Sequence, residues 1–213
     1  MNVVIMGPPG VGKGTQAAGL VASHGVVHVS TGDILRSAVQ EGTELGRQVA
    51  ALMAAGELVP DHLMMEIIKD RLERPDVRDG WLLDGFPRTE PQADGLLALL
   101  DDIGQRIDRV LVLDAPDEEI VRRLAGRLTC RDCGHVTTSR GADGPPAACP
   151  ACETDALYVR DDDSEQTIRH RLEVFRERTW SAAERLGERC ALTRIDGRGT
   201  PAEVQQRIAG VIR

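Results

Sequence analysis

The sequence predicts an α/β fold in which a parallel sheet is flanked by helices. Short, almost wholly apolar runs alternate with longer helical patterns along the 213 residues, which is typical of strands buried on both faces of a parallel sheet. The first apolar run leads directly into a glycine-rich turn and a lysine. Two segments, residues 30–59 and 129–163, interrupt the alternation. We interpret them as insertions at the ligand-binding edge of the sheet, where the strands end.

Composition limits the classes of protein to which this chain can belong. A hydrophobic content of 41% over 213 residues is enough to bury one main core. The formal net charge of -8 provides no basic footprint for DNA or RNA, so we expect no nucleic-acid partner. No stretch reaches 18 uncharged apolar residues, and the first residues do not resemble a signal peptide, so we expect no membrane contact. We therefore expect a cytoplasmic monomer.

Apolar runs and cap signals place the elements along the chain. Strands are predicted at residues 2–6, 26–29, 81–83, 110–113 and 192–195. Helices are predicted to begin near residues 13, 34, 44, 61, 90, 117 and 164. The last helix has the clearest start, because Thr200 and Glu203 form a capping box around Pro201 at the first helical position. Asp163, followed by Gln166, is a candidate cap for the helix near residue 164.

The sequence GPPGVGKGTQ at residues 7–16 has the form of a phosphate-binding loop. Small residues allow backbone N–H groups to point at phosphate oxygens, and the helix N-terminus adds positive charge. The Lys13 ammonium can then bridge the β- and γ-phosphates of a nucleotide. The general pattern has Ser or Thr directly after this lysine, whereas here Gly14 stands there and Thr15 follows. We therefore expect Mg²⁺ to be held mainly by water, phosphates and a carboxylate.

Asp84 is the candidate for that carboxylate. It follows the apolar run Trp81-Leu82-Leu83, at the end of a strand where an acidic residue can order Mg²⁺ through water. The alternative is an ordinary turn or cap aspartate.

Four cysteines form a C-x2-C-x15-C-x2-C pattern: Cys130, Cys133, Cys149 and Cys152. This spacing strongly indicates zinc, because each two-residue spacer lets a tight turn place two sulfurs on one edge of a tetrahedron. Four thiolates leave no position for a catalytic water, so the metal is expected to be structural. Disulfides or free thiols are the alternatives. Gly134 suits the tight exit from the turn, His135 is interpreted as a bystander, and Cys190 as a small buried residue.

Several further motifs are more specific than a phosphate-binding loop alone. They are STGD at residues 30–33, GELVPD at 56–61, DGFPRTEPQ at 84–92, RLAGR at 123–127 and RDDD at 160–163. With these motifs, the chain resembles from end to end an adenylate kinase of the long, zinc-bearing bacterial type, in which Gly14 is the usual residue after the lysine. The resemblance implies a P-loop nucleoside monophosphate kinase core at residues 1–29, 60–126 and 164–213. It also implies a helical AMP-binding insertion at 30–59 and a zinc-stabilised lid at 127–163.

The resemblance also implies a reaction and a set of site residues. The reaction is reversible, Mg²⁺-dependent phosphoryl transfer from ATP to AMP, which gives two ADP and serves adenine nucleotide homeostasis. The implied ATP-binding residues are Gly10, Val11, Gly12, Lys13, Gly14, Thr15, Arg127, Val136, Thr137 and Arg198. The implied AMP-binding residues are Thr31, Arg36, Glu57, Leu58, Val59, Gly85, Phe86, Pro87, Arg88, Gln92, Arg160 and Arg171. Catalytic roles are implied for Lys13, Asp84, Arg88, Arg123, Arg160 and Arg171. Zn²⁺ is implied in the lid, on the four cysteines.

The physical chemistry of the residues agrees with these roles. Two nucleotides bring about six negative charges into one site, and planar guanidinium groups match phosphate oxygens better than lysine does. Gln92 can offer a donor and an acceptor to an adenine edge. Zinc-bearing relatives usually have an aromatic residue shortly after the second cysteine, but this chain has Val136 and Thr137 there, so the adenine of ATP is expected to pack more loosely. Lid hinges are expected near residues 126–127 and 162–164.

The sequence disfavours three alternative functions. Another nucleoside monophosphate kinase, acting on UMP, CMP or GMP, is disfavoured by the long lid and by Gln92. A zinc-ribbon nucleic-acid-binding module is disfavoured by the acidic charge and by the presence of only one Tyr and two Phe. A catalytically silent homologue is disfavoured because Lys13, Arg88 and Arg123 are all present.

Overall fold

The computed structural model describes residues 1–139 and 144–212. Residues 140–143 of the predicted lid and Arg213 of the predicted core lie outside the described residues. The described strands are β1 (Asn2–Met6), β2 (Val27–Ser30), β3 (Trp81–Asp84), β4 (Arg109–Asp114), β5 (Arg127–Cys130), β6 (Val136–Thr138), β7 (Leu157–Tyr158) and β8 (Leu192–Asp196). The described α-helices are α1 (Lys13–His24), α2 (Thr31–Gln40), α3 (Glu44–Ala55), α4 (Asp61–Leu72), α5 (Glu90–Asp102), α6 (Asp117–Leu124), α7 (Glu165–Val174), α8 (Trp180–Gly187) and α9 (Pro201–Ala209).

A parallel sheet with the strand order β2-β3-β1-β4-β8 lies at the centre of the described structure. Successive side chains of a strand point to opposite faces. In β1, Val4 and Met6 therefore pack with α4, α5 and α8, whereas Val3 and Ile5 pack with α1 and α9. Both faces of the sheet are buried, which explains the almost continuous apolar runs in the sequence. The predicted α/β fold with a parallel sheet is confirmed.

The carboxyl ends of three neighbouring strands place the predicted site at one edge of the sheet. The glycine-rich loop follows β1, α2 follows β2, and residues 85–89 follow β3. Because β1, β2 and β3 are adjacent and parallel, these three connections meet at the edge where open α/β sheets bind ligands.

Two helix starts differ from the prediction. Helix α2 begins at Thr31, three residues before the predicted start, because the Ser30 hydroxyl accepts a hydrogen bond from the Asp33 N–H at 3.2 Å. Asp163 does not cap α7. The cap is Ser164, whose hydroxyl accepts from the Thr167 N–H at 3.1 Å. Four of the predicted strands also shift or extend by one residue.

Residues 129–163, predicted to be irregular, instead contribute to a second sheet. The strands β6-β5-β7 pair antiparallel, with Thr129 opposite both Val136 and Tyr158. The Arg131 guanidinium lies 4.0 Å from the centre of the Tyr158 ring, a cation–π contact that supports the sheet. The irregular prediction was wrong because these strands have two to four residues and mostly polar side chains, so no apolar alternation marks them.

The segment after this sheet returns to the core as a long interrupted helix. Helices α7 and α8 are joined by a π-helical turn at Phe175–Thr179. Phe175 packs edge-on against Trp180, with 6.3 Å between the ring centres. In the part of the chain that the structure describes, no helix is both long enough and apolar enough to cross a membrane.

Candidate active site

The loop between β1 and α1 allows an anion to approach the backbone closely. A Cβ atom on Gly7 would lie 2.4 Å from the carbonyl oxygen of Leu113, so no side chain fits there. Gly12, with φ of 106°, precedes α1, whose first residue is Lys13. The Lys13 ammonium donates to the carbonyl oxygens of Gly7, at 2.8 Å, and Pro8, at 3.0 Å. The loop, the lysine and the N-terminus of α1 are therefore arranged as a phosphate-binding site requires.

A cluster of cations lies next to this loop. Within the described residues its members are Lys13, Arg36, Arg88, Arg127, Arg160 and Arg171. Burial lowers the pKa of Lys13 to about 8, although the carboxylate of Asp84 opposes the shift. Burial lowers the pKa of Arg88 to about 10, helped by Arg171, and that of Arg160 to about 10, helped by Arg36. Buried cations that repel one another form a site with a strong affinity for a polyanion.

Two adjacent aspartates hold two of these arginines. Arg127 donates to both carboxylate oxygens of Asp163, from Nε at 2.7 Å and from Nη2 at 2.5 Å, and the Asp163 side chain has no exposed surface. Arg171 donates to the carboxylate of Asp162. The side chains of Asp162 and Asp163 orient arginines of the cluster, and the bidentate contact of Asp163 fixes the guanidinium plane of Arg127. The lid hinge near residues 162–164 stays a prediction.

Arg123, predicted to act on the transferring phosphoryl group, contacts the phosphate-binding loop and the loop after β8. Its guanidinium donates to the carbonyl oxygens of Val11, at 3.2 Å, and Gly197, at 3.0 Å, and it pairs with Glu119. The geometry therefore places Arg123 between the phosphate-binding loop and the loop after β8.

Three predicted ATP-binding residues are not among the cations that form the cluster. Arg198 pairs with Asp196 at 2.8 Å, and 62% of its side chain is exposed. Val136 and Thr137 lie on β6, where Val136 is exposed. Their binding of ATP stays a prediction.

All of the predicted AMP-binding residues except Arg160 line two neighbouring cavities. The first lies beside α2 and is lined by Thr31, Arg36, Glu57, Leu58, Val59, Arg88, Gln92 and Arg171. We call it the acceptor cavity. The second is lined by Gly85, Phe86, Pro87, Arg88 and Lys13. Arg88 and Arg171 line both cavities, so these two arginines connect the acceptor cavity to the phosphate-binding loop.

Gln92 in the acceptor cavity has protein partners at both ends of its amide. Its Oε1 accepts from the backbone N–H of Arg88 at 2.8 Å, and its Nε2 donates to Oδ1 of Asp61 at 2.7 Å. An amide has two N–H groups and two lone pairs on its oxygen. Gln92 therefore retains one N–H and one lone pair for a ligand, fewer than a free amide would offer.

The sequence did not indicate the partner of Asp84. Asp84 is only 9% exposed, and its Oδ2 lies 3.5 Å from Nε2 of His28 on β2. An isolated histidine in a short apolar run gives no signal of this contact. His170 was also missed: its Nε2 lies 2.8 Å from a Glu57 carboxylate oxygen, joining α7 to the predicted AMP-binding insertion.

The four cysteines meet in one cluster, as their spacing predicts. All four sulfurs lie within 4.8 Å of one another, and the pairs Cys130–Cys152 and Cys133–Cys149 are each 3.6 Å apart. Sulfurs on a tetrahedron about 2.3 Å from zinc would be about 3.8 Å apart. The distances therefore fit a zinc site.

Comparison with known proteins agrees with this geometry. A family model described as adenylate kinase matches residues 5–186. The chain is 45% identical to the adenylate kinase of Methanothrix thermoacetophila, covering 100% of this chain and 98% of the relative. It is 46% identical to that of Acidothermus cellulolyticus, with the same coverage, and 46% identical to that of Methanocella arvoryzae, over 100% of this chain and 99% of the relative. The chain therefore belongs to the adenylate kinase family and is an ATP:AMP phosphotransferase.

Proposed function

We propose that phosphoryl transfer takes place among the cations of the cluster, with ATP on the loop at residues 7–15 and AMP in the acceptor cavity. The observation that carries this proposal is that Lys13 and five arginines lie together, and that burial lowers the pKa values of Lys13, Arg88, Arg160 and Arg171. Two nucleotides bring about six negative charges, which would offset the mutual repulsion of these groups.

Each cation is assigned a role from its position. Lys13, at the start of α1, bridges the β- and γ-phosphates of ATP. Arg88 lines both cavities and therefore contacts the AMP phosphate and the group in transfer. Arg127, Arg160 and Arg171 stabilise the charge that develops on that group, and preorganised donors of this kind are worth about 10²–10³-fold each in rate. We assign Arg123 a positioning role, because it joins Val11 to Gly197.

Mg²⁺ and Zn²⁺ are proposed at different places. Asp84 is the carboxylate that we assign to Mg²⁺ through water, because it lies beside Lys13 at the end of β3 and presents the hard oxygen ligands that Mg²⁺ prefers. Mg²⁺ bound with ATP neutralises phosphate charge during transfer. Zn²⁺ on the four cysteines has no open coordination position, so its proposed role is to hold residues 127–163 as one folded unit.

The proposed domain arrangement follows from the same contacts. We assign residues 1–29, 60–126 and 164–213 to the core, 30–59 to the AMP-binding insertion and 127–163 to the lid. Arg127 and Arg160 come from the lid segment and Arg36 from the insertion, so the cluster is complete only when both approach the core. Closure of both would keep water from accepting the phosphoryl group. We expect the protein to act as a cytoplasmic monomer.

A coupled assay with Mg-ATP and AMP, CMP, UMP or GMP tests the acceptor. We expect AMP to give the highest kcat/KM.

Arg88→Ala should lower kcat by roughly 10²–10⁴-fold, and an effect on KM alone would contradict its role in the transition state. A bisubstrate analogue, two adenosines joined by five phosphates, should protect both residues 30–59 and 127–163 from proteolysis. Preference for a pyrimidine nucleotide would overturn the proposal.

A further inference from the structure

The orientation of the Gln92 amide decides which purine the acceptor cavity can accept. Gln92 is 1% exposed and lines this cavity. Adenine presents an acceptor at N1 and a donor at its 6-amino group, whereas a 6-oxopurine presents a donor at N1 and an acceptor at O6. A freely rotating amide could match either edge, because rotation by 180° exchanges its oxygen and its nitrogen. Gln92 alone therefore does not explain a preference for adenine.

Two neighbours with fixed polarity remove this freedom. A backbone N–H only donates, so the Gln92 atom 2.8 Å from the Arg88 N–H is the oxygen. A carboxylate only accepts, so the Gln92 atom 2.7 Å from Asp61 Oδ1 is the nitrogen. The polarity of the partner therefore sets the amide orientation independently at each end.

Asp61 is itself held in place. Its Oδ1 also accepts a hydrogen bond from the Thr89 hydroxyl at 3.0 Å, and that hydroxyl accepts from the backbone N–H of Gln92 at 3.3 Å. Thr89 caps α5, and Asp61 is the first residue of α4. The carboxylate is therefore fixed by two helix N-termini rather than by a flexible loop, which suits a group that must orient another.

We propose that Asp61 is a specificity-determining positioning residue, which locks the Gln92 amide in the orientation that recognises adenine and rejects 6-oxopurine nucleotides. This inference rests on the proposed contact between Gln92 and the acceptor base. In the reversed orientation, the amide oxygen would face the Asp61 carboxylate and the NH2 group would face the Arg88 N–H. Both hydrogen bonds would be lost and replaced by repulsive contacts.

The test compares AMP with IMP, because the two nucleotides differ only at the 6-position and N1. Asp61→Ala should reduce the ratio of kcat/KM for AMP to that for IMP by about tenfold or more, since a hydrogen bond to a charged group is lost. Asp61→Asn, which has nearly the same shape but can present either an oxygen or an NH2 group, should give a smaller reduction. Calorimetric binding of AMP and of IMP alone should change in the same ratio.

Asp117→Ala is the matched control. Asp117 is the first residue of α6 and follows a proline, as Asp61 follows Pro60 at the start of α4. It lacks the contact with Gln92, so the general loss of a carboxylate from a helix N-terminus should leave the AMP to IMP ratio unchanged. If both variants have a lower melting temperature but only Asp61→Ala has an altered ratio of kcat/KM for AMP to that for IMP, the proposed positioning role of Asp61 is supported.

Two outcomes would overturn the inference, and they are distinguishable. If Gln92→Ala leaves the AMP to IMP ratio at the parent value, Gln92 does not contact the acceptor base. The proposed base contact and the positioning role of Asp61 then both fail. If Gln92→Ala abolishes the preference but Asp61→Ala and Asp61→Asn leave the ratio unchanged, Gln92 does contact the base, and Asp61 only supports the N-termini of α4 and α5.

Discussion

Replacing Glu153 by glycine should stabilise the zinc-binding segment. The two cysteine pairs form equivalent turns: the Gly134 N–H donates to the Cys130 carbonyl at 3.0 Å, and the Glu153 N–H donates to the Cys149 carbonyl at 2.8 Å. Both turns end in the left-handed region, with φ of 72° at Gly134 and 60° at Glu153. Among the described residues, Glu153 is the one non-glycine residue with positive φ. The second turn thus carries a strain that the first avoids.

The expected gain follows from that conformation. A left-handed backbone costs a residue with a Cβ atom about 1–2 kcal/mol, and the greater freedom of glycine in the unfolded chain offsets part of the gain. We therefore expect Glu153→Gly to raise the free energy of unfolding by about 1 kcal/mol, which corresponds to about 2–4 °C in Tm for a chain of this size. If local opening of the segment limits zinc release, release should slow about fivefold.

The assay is calorimetry of the zinc-loaded protein together with zinc transfer to a coloured chelator. Glu153→Ala removes the carboxylate but keeps the Cβ atom, so it should not produce this gain. Gly134→Ala should lose about as much stability as Glu153→Gly gains. If Glu153→Ala stabilises the protein as much as Glu153→Gly, repulsion between the carboxylate and the thiolates is the cause, and the argument from backbone strain is refuted.

Three further predictions concern the cation cluster and the metal. Because the pKa of Lys13 is lowered to about 8, kcat/KM for ATP should fall as pH rises through about 8. Lys13→Arg stays protonated, so its kcat/KM should not fall in this pH range. If kcat/KM of the parent is constant from about pH 7 to 10, the lowered pKa does not belong to Lys13. Asp163→Ala should lower the free energy of unfolding by about 3–5 kcal/mol in urea titrations, because Arg127 stays buried without its partner; the exposed Asp161→Ala is the control, and equal losses would refute the reasoning. Chelation of zinc should lower Tm and expose residues 129–163 to protease, and elemental analysis of reduced protein without bound metal would exclude the zinc site.

Local sequence predicted the parts of the site that depend on short-range chemistry. The loop at residues 7–16 requires glycines where a side chain would meet the backbone, as at Gly7 against Leu113. Consecutive residues are therefore enough to identify it. The four cysteines are similar, since a two-residue spacer suffices to bring two sulfurs together. Both features could be recognised before the structure because their geometry is set within a few residues.

Contacts between distant segments were not predictable in the same way. The pattern suggested that Asp163 caps a helix, but its carboxylate is fully buried against Arg127, 36 residues earlier in the chain. The three-stranded sheet within residues 127–158 was missed because its strands are short and mostly polar, and pairing between them rather than an apolar face defines them. Residue type and spacing carry no information about such partners.

Local sequence is enough to specify the α/β class, the phosphate-binding loop, the cysteine cluster and the family resemblance, because each follows from local periodicity or from a compact motif. The fold brings Lys13 and five arginines together from separate segments of the chain, and it joins Arg123 to both Val11 and Gly197. It also decided that the Gln92 amide faces Asp61, 31 residues away in the chain. The physical reason is that burial, charge coupling and hydrogen-bond polarity depend on what the fold brings within a few ångströms, whatever the separation along the chain.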